Sequence, residues 1–300
     1  MKKVLFVILL FTGFIITKNA YSQDEAAVSD TIKDWNIGGL ISFNFSQSSF
    51  NNWVAGGDNS VGLSLFYKPF ANYNKGKISW ENSLDIRYGK NKIGKDPWRK
   101  SDDLLELNTK LGIAASKHWN YAALLNFRTQ FDDGYASIEQ TELVSKFMAP
   151  GYLSVALGMD YKPNDKLSLF LSPLTSRTTF VLDDLLSARG DYGVTPGESS
   201  FSQLGPSAIF SYKDEVMKNV IIDSKMNAMY EYASDPKFVF LWDFILGLKV
   251  NKYLTTTLTT GLIYDENILF DVSDGAGNVV SQEKRIQFKE VLAIGVTFSY

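Results

Sequence analysis

Large apolar side chains alternate with small or polar ones through the last residues of this chain, and this pattern constrains the fold most. Leu292, Ile294, Val296, Phe298 and Tyr300 are separated by alanine, glycine, threonine and serine. A repeat of two residues places the apolar side chains on one face of a β-strand. A strand of this kind that ends a chain on an aromatic residue is typical of the closing strand of a membrane β-barrel.

The same alternation recurs along the chain and predicts about twelve strands. The predicted strands lie near residues 35–46, 61–67, 78–88, 105–113, 119–131, 153–161, 167–171, 199–212, 220–230, 238–250, 254–264 and 290–300. Pro206 interrupts the eighth strand, so either of its faces is able to meet lipid. A soluble barrel with inward apolar faces is the alternative, but so many large apolar residues would overfill its interior. We therefore predict an all-β fold, a transmembrane antiparallel up-and-down β-barrel of about twelve strands.

The connections between the predicted strands alternate in length. Short ones follow the even-numbered strands, at residues 71–76, 116–120, 162–166, 212–216 and 250–253. Long ones follow most odd-numbered strands, at residues 47–59, 89–103, 132–150, 173–198 and 266–283, whereas the connection at 233–236 is short. Outer-membrane barrels have short periplasmic turns and long extracellular loops, so the pattern predicts periplasmic N- and C-termini.

The first residues of the chain have the features of a secretory signal peptide. Lys2 and Lys3 precede a short apolar run, and Ala20 and Ser22 place small residues before a predicted cleavage at Gln23. An uncleaved membrane anchor is the alternative, but the apolar run is shorter than the roughly 20 residues that span a bilayer as a helix. We predict a signal peptide at 1–22, a short periplasmic segment at 23–34 and an outer-membrane barrel at 35–300.

The composition argues against several classes of function. The chain has no cysteine, which excludes disulfides, thiolate metal sites and a cysteine nucleophile. Its net charge of −3 and the absence of a basic run argue against nucleic-acid binding. The acidic pairs Asp102-Asp103 and Asp132-Asp133 match no defined calcium loop, and we expect them to be solvated. We therefore predict no cofactor and no metal.

Charged residues that alternate with the apolar faces are expected to point into the lumen of the barrel. The predicted lining residues are Glu81, Asp85, Arg87, Glu106, Lys110, Arg128, Asp223, Lys225, Glu231, Asp243, Lys249, Arg285 and Lys289. In a water-filled lumen these charges would tune the selectivity of a channel. The alternative is an ion-paired plug, which the near balance of acids and bases favours. Twelve strands lie between self-filled barrels and barrels with an aqueous channel, so the strand number leaves both open.

A basic loop and a single histidine are the other candidate sites. The cations of segment 90–100 surround Trp98 and form a predicted patch for an anionic solute or for lipopolysaccharide phosphates. They are Lys90, Lys92, Lys95, Arg99 and Lys100. His118 lies in a predicted periplasmic turn with no nucleophile beside it. We therefore expect no enzyme activity of the known histidine-dependent barrel types.

Several motifs spread over the chain resemble those of a known family. They are WNIGG at 35–39, FSQSSFNNWVAGGDNS at 45–60, RKSDD at 99–103, RTQFDDGY at 128–135, MAPGY at 148–152, LSPLTSRTTF at 171–180, YGV at 192–194 and LKVNKYL at 248–254. Their combination is similar to an uncharacterised family of Bacteroidota outer-membrane proteins, the domain of unknown function 3078. This resemblance implies an outer-membrane β-barrel and brings no established activity or catalytic residue.

These observations favour a passive channel for small solutes in the outer membrane. The charged inner face and the lack of a catalytic set support this interpretation. The alternative is a closed barrel with a structural or surface-interaction role, whose extracellular loops bind a partner or lipopolysaccharide. The expected contacts are outer-membrane lipid, lipopolysaccharide and small solutes, and the sequence leaves the oligomeric state open.

Overall fold

Alternation of apolar and polar residues produces long strands in the structure, a computed structural model that describes residues 34–50, 58–251, 253–274 and 279–299. The barrel strands in this part of the chain are β1 (Trp35–Ser48), β2 (Ser60–Lys75), β3 (Ile78–Ile93), β4 (Arg99–Ala114), β5 (Trp119–Thr129), β8 (Gly151–Asn164), β9 (Leu167–Phe180), β10 (Ser200–Met217), β11 (Val220–Tyr230), β12 (Phe238–Lys249), β13 (Leu254–Asp265) and β16 (Gln287–Ser299). Two small hairpins, β6 (Gly134–Tyr135) with β7 (Leu143–Ser145) and β14 (Phe270–Ser273) with β15 (Val279–Glu283), lie in the connections. The predicted signal peptide, and the periplasmic segment up to residue 33, lie outside the described residues.

The twelve barrel strands form a closed antiparallel ring. Each pairs with the barrel strands before and after it in the chain, and β16 returns to pair with β1. This arrangement confirms the predicted fold class. Closure matters because it gives every barrel strand a neighbouring strand on each side, and a sheet without a free edge strand is able to cross lipid.

The outer surface of the barrel carries the apolar half of the alternation. Phe43, Leu63, Leu157, Leu171 and Leu292 all point outward and are exposed. Their polar or small neighbours in sequence turn inward, as buried Ser42 does beside Phe43. An apolar exterior around a closed barrel is stable in lipid, where the backbone groups are satisfied by the strands themselves. No helix in the described residues is long and apolar enough to span a bilayer.

Pro206 lies at an irregularity between β9 and β10, and the burial of nearby residues shows which face of β10 meets lipid. The register between β10 and β9 shifts between Gly205 and Ser207. Two residues of β9, Pro173 and Leu174, face Pro206 there, so the extra residue lies in β9 and the ladder is interrupted at a place where proline is tolerated. Gln203 and Ser207 are buried inside the barrel, whereas Leu204 is exposed on the outside.

The connections keep the predicted alternation but differ in length, because several strands are longer than predicted. The short ones are residues 76–77, 115–118, 165–166, 218–219 and 250–253. Segment 212–216, predicted as a turn, belongs to β10, and the predicted long loop 89–103 shrinks to residues 94–98. The remaining connections at the opposite end are residues 49–59, 130–150, 181–199, 231–237 and 266–286. We refer to the two ends of the barrel as the short-turn end and the long-loop end.

Two of the long connections pack against each other at the long-loop end. Ala149, Val181, Leu186 and Val194 form a buried apolar cluster between segments 130–150 and 181–199. The cluster includes a short helix, α1 (Asp184–Arg189), which ends at Gly190 with a positive φ of 74°. Asp183 caps its first turn by accepting hydrogen bonds from the amides of Leu185 and Leu186.

We predict that the cap at Asp183 makes the 181–199 connection sensitive to acid. Lys146 donates a hydrogen bond to Asp183 and holds the pKa of this carboxyl below its ordinary value. Because the folded pKa is depressed, the stabilisation is present above the unfolded pKa of about 3.9 and is lost as pH falls below it. The protection of the Leu185 and Leu186 amides, measured as exchange relative to the intrinsic rate at each pH, should fall over that range.

Two substitutions separate the cap from the charge. Asp183→Ala should weaken the helix by about 1 kcal/mol at pH 7, because both amide bonds are lost. Asp183→Asn should keep the cap but abolish the acid sensitivity. Unchanged exchange in the alanine variant would contradict the assignment of Asp183 as the cap.

Candidate functional site

Charged side chains from opposite walls meet inside the barrel. Lys68 on β2 and Asp223 on β11 lie five strands apart around the ring, yet their Nζ and Oδ2 atoms are 2.9 Å apart. Neighbouring strands are separated by about 4.8 Å, so side chains that far apart along the wall meet only through the lumen.

The most continuous connection across the lumen is a chain of four charges, which we call the central chain. The Nζ of Lys225 on β11 lies 2.9 Å from Oε1 of Glu106 on β4. Arg128 on β5 lies 3.7 Å from Oε2 of Glu106 and 3.1 Å from Oδ2 of Asp243 on β12. Strands β4 and β11, and likewise β5 and β12, are five positions apart in the ring. The central chain therefore links opposite walls twice.

Further ion pairs lie on the short-turn side of the lumen. Lys110 contacts Asp160 at 2.6 Å and Glu81 at 3.3 Å, and Lys162 pairs with the same Glu81. Lys110 and Glu81 lie directly opposite each other on the neighbouring strands β4 and β3. Asp160 and Lys162 come from β8, so the other two pairs join strands that are not neighbours.

A second group of pairs lies towards the long-loop end. Arg177 on β9 lies 2.8 Å from Asp265 on β13 and donates to Gln203 at 3.0 Å. Gln203 in turn donates to Glu231, one residue beyond β11. Arg177 and Asp265 are both buried, so each has lost its hydration and is stabilised by the opposite charge of the other. Nearby, Lys289 on β16 pairs with Asp102 on β4 at 2.7 Å.

The space left between these side chains is small. A cavity of about 60 Å³ lies in the lumen, bordered by the central chain and by Arg177, Ile209 and Met229. Ala122, Ala156, Phe170 and Ile209 pack together as an apolar cluster on one wall. Because a water molecule occupies about 30 Å³ in the liquid, the cavity has room for a few waters only.

The predicted lining residues meet different fates. Asp85 and Arg87 on β3 form a buried bidentate pair, with bonds of 3.0 and 2.7 Å. Lys249 is exposed at the last position of β12. The prediction for Arg285 was wrong: it precedes β16, pairs with Glu283 and lies over the ring of Phe270. The prediction continued the inward and outward alternation of β16 to residues that precede the strand.

Several members of the lumen network were missed in the sequence. Lys68, Asp160 and Lys162 lie at the ends of predicted strands or just beyond them, where the alternation was not followed far enough. Arg177 falls in a segment predicted as a loop, although Thr175, Arg177 and Thr179 alternate with outward side chains in β9. Continued parity would have identified these residues, because each lies on the inward side of its strand.

A larger cleft lies at the long-loop end. It has a volume of about 430 Å³ and includes Trp98 and Tyr135 together with polar side chains of segment 132–145. Three of the five cations predicted as a patch line it: Lys90, Arg99 and Lys100. Lys92 and Lys95 do not line this cleft. We call it the loop cleft.

Two cations of the loop cleft already have acidic partners. Lys90 lies 2.7 Å from Asp132, and Lys100 lies 3.0 Å from Asp103. Burial works against the charge of Asp132, but the hydrogen bonds that it receives from Lys90 and Tyr88 lower the pKa of this carboxyl below its ordinary value. Arg99 has no ion-pair partner among the described residues. It is therefore the lining cation whose charge is available to a ligand.

The sequence led us to expect that the acidic pairs are solvated, and the structure differs from this expectation. Asp103 accepts hydrogen bonds from the amides of Phe131 and Asp132 and has a nearly buried side chain. It thereby fixes the start of the 130–150 connection beside the loop cleft. No group of three His, Cys, Asp or Glu side chains in the described residues is arranged to hold a metal.

His118 lies at the short-turn end, away from the loop cleft. Its ring meets the edge of Tyr161 with 6.2 Å between the ring centroids, and Tyr161 also contacts Trp119. A second aromatic group at that end joins Trp35 to Tyr73 and Trp80. Aromatic rings at strand ends are the feature that outer-membrane barrels present at the lipid interface.

The closed ring, its apolar exterior and its charged interior define the class of protein, an outer-membrane β-barrel. Over residues 45–135 the chain matches the profile of a family described as "Protein of unknown function (DUF3078)". The predicted resemblance to an uncharacterised family is confirmed in that part of the chain, and the bacterial group stays a prediction. None of the curated proteins matches the chain.

Solved structures with a similar arrangement are outer-membrane proteins. The translocator domain of the autotransporter NalP from Neisseria meningitidis is 7% identical, with 92% of this chain and 90% of that chain covered, at a TM-score of 0.37. An outer membrane channel from Pseudomonas putida F1 is 9% identical, with 88% and 94% covered, at a TM-score of 0.38. OmpT, an outer membrane protein of Vibrio cholerae, is 8% identical, with 89% and 97% covered, at a TM-score of 0.32. At these scores the likeness lends nothing to the function of this chain.

We predict that Arg177 and Asp265 depend on each other. Arg177→Met leaves the Asp265 carboxylate buried without its cation and should lower the free energy of unfolding by about 3–5 kcal/mol. Replacing both residues, Arg177→Met with Asp265→Leu, should recover most of that loss because no unpaired charge remains. Urea unfolding of the refolded barrel in lipid vesicles measures these differences. Lys249→Met, which removes an exposed cation, is the control, and equal stability of Arg177→Met and this control would contradict the prediction.

Proposed function

We propose that this protein is a closed outer-membrane barrel that acts through its long-loop end, which faces the outside of the cell. The observation that carries the proposal is the central chain of ion pairs, which joins opposite walls of the lumen. A solute that passed would have to separate the buried Glu106 carboxylate from its partly exposed cations, and an uncompensated buried charge costs several kcal/mol. Both termini then lie in the periplasm, as in other barrels with long external loops.

The loop cleft is the proposed binding site, and an anionic group of lipopolysaccharide is the proposed ligand. Lys90 pairs directly with Leu63 across β2 and β3, and with Lys100 across β3 and β4. Residues that pair directly share a face of the sheet, so both lysines lie on the same outer side as exposed Leu63. A cationic cleft on that side, beyond the apolar exterior, fits the level at which lipid phosphates lie. Arg99 also lines the cleft, although it pairs with Asn91 and so belongs to the opposite face of the sheet. Arginine binds phosphate through paired hydrogen bonds, and Arg99 is the lining cation without an ion-pair partner among the described residues.

Single-channel conductance of the refolded protein in a planar bilayer tests the closed lumen. The unmodified protein should give no discrete steps, while Glu106→Ala combined with Arg128→Ala should give them, because the variant removes both charge and volume from the central chain. Lys249→Gln, which changes a charge outside the chain, should stay silent. Heat-modifiable migration on a gel must show that each barrel is folded.

A passive channel for small solutes is the second candidate function. It is favoured by the nature of the central chain, which consists of lysine, arginine and acidic side chains and so is able to rearrange without unfolding a domain. Discrete steps in the unmodified protein that shift when Arg128 or Lys110 is neutralised would support this candidate and contradict the closed lumen.

Binding of purified lipopolysaccharide tests the loop cleft. Arg99→Gln should weaken binding about tenfold or more, since a hydrogen bond to a charged group contributes about 1.5–3 kcal/mol. Lys92→Gln with Lys95→Gln is the matched control, because it removes two cations of the same loop that do not line the cleft. Equal affinity of the Arg99 variant and the control would exclude the cleft as the binding site. Dephosphorylated lipopolysaccharide should bind the unmodified protein as weakly as the intact form binds the Arg99 variant.

A further inference from the structure

The seam between the first and last strands is paired over a much shorter stretch than the others. Strands β1 and β16 pair over five residues, from Leu40 with Ser299 to Asn44 with Gly295. Each of the other neighbouring pairs in the ring aligns between ten and fourteen residues. Residues 35–39 of β1, at the short-turn end, have no described partner on β16, and neither do residues 45–48 at the long-loop end, where β16 continues beside them.

Both strands continue beyond the point where their pairing stops. Residues 45–48 of β1 remain paired with β2, and residues 287–294 of β16 remain paired with β13. Among the described residues they have no partner across the seam. The two strands are therefore held by their other neighbours while they separate from each other. We call this the seam opening.

The outer side of the seam opening is apolar. Phe45, Phe288, Leu292 and Ile294 flank it and are 56–68% exposed. They continue the apolar exterior formed by Phe43 and Leu63 on the neighbouring positions. The opening thus meets lipid acyl chains on its outer side.

The inner side of the seam opening is polar and lined by small residues. Ser46 pairs with Gly62, and Ser48 pairs with Ser60, on the face that buried Ser42 shares. Ser46 and Ser48 are exposed although they belong to the inward face. Unpaired backbone groups at membrane depth are tolerated only where they border water or protein, and an inner side reached by water meets that condition.

One cation lies at the inner side of this opening. Lys289 is on the inward face of β16, level with Gly261 and Asp243 in the paired sheet, and its side chain is 46% exposed. It contacts Asp102 at 2.7 Å but remains half open to solvent. An ammonium group beside an apolar exit suits a molecule with an anionic head and an apolar tail.

We propose that the seam opening is a lateral passage for a long-chain fatty acid between the long-loop end of the lumen and the membrane. The carboxylate would lie near Lys289 and the chain would leave between Phe45 and Ile294. This path lies on the long-loop side of the closed lumen, so it needs no rearrangement of the central chain. It is separate from the loop cleft and does not depend on lipopolysaccharide binding.

Disulfide formation in this cysteine-free chain tests whether the seam is open. Extending the β1–β16 register places residue 46 opposite residue 293, both on the inward face. Disulfides need Cα atoms within about 7 Å, so Ser46→Cys with Ala293→Cys should cross-link at least roughly tenfold more slowly than Ser42→Cys with Thr297→Cys in the paired stretch. Equal rates would mean a closed seam and would overturn the proposal. Disulfide-linked dimers of Ala293→Cys alone would overturn it too, because they would assign the exposed edge to a second copy of the chain.

Quenching by spin-labelled stearic acid tests whether an acyl chain enters. A fluorophore attached to Ser46→Cys should be quenched at least roughly tenfold more efficiently than one attached to Ser42→Cys, which faces the same lumen behind the paired seam. Lys289→Gln should reduce the quenching at residue 46, while Lys249→Gln should not. Equal quenching at residues 42 and 46 would overturn the fatty-acid passage even where the seam is open. Quenching at residue 46 that is the same with and without Lys289→Gln would overturn it as well.

Discussion

Glu106 is the charge on which the organisation of the lumen depends. Its buried carboxylate has one cation from β5, the hairpin partner of its own strand, and another from β11 on the opposite wall. Removing both of those cations would leave a buried charge without compensation. Arg128 also pairs with Asp243 on β12, so the ion pairs of Glu106 continue to the opposite wall. In this barrel of twelve strands the walls are close enough for side chains to meet, and ion pairs therefore connect opposite walls through the lumen.

The exterior obeys a simpler constraint than the interior. Lipid offers no hydrogen bonds, so the strands must pair with one another and present apolar side chains outward. Each strand meets this condition by its own alternation, independently of the strands on the far wall. The interior is different, because Lys68 is satisfied only if Asp223 arrives at the same height from five strands away. Its stability belongs to the closed ring and not to any strand alone.

This difference explains what the sequence could and could not predict. Every barrel strand was predicted, since alternation is local, and the parity of Glu106, Arg128 and Asp243 followed from it. Strand ends were less predictable: β9 continues to Phe180 through serine, threonine and arginine, where apolar contrast is weak. Partners across the lumen could not be predicted, because they depend on tilt and register summed over several strands. The role of Asp103 was missed for a similar reason, since the amides that it binds are distant in sequence.

The incomplete seam is consistent with the closed lumen that we propose. Backbone groups left unpaired in lipid cost several kcal/mol, so a gap between β1 and β16 persists only where something satisfies its edges. Water reaches the inner side of the gap from the long-loop end, where Ser46 and Ser48 are exposed. In the proposed passage, a molecule that entered there would meet the ion pairs of the central chain along the axis, whereas the outer side of the seam opening is bordered by uncharged apolar side chains. The ion pairs across the lumen and the short pairing of β1 with β16 would thus both favour movement of a bound molecule sideways into lipid.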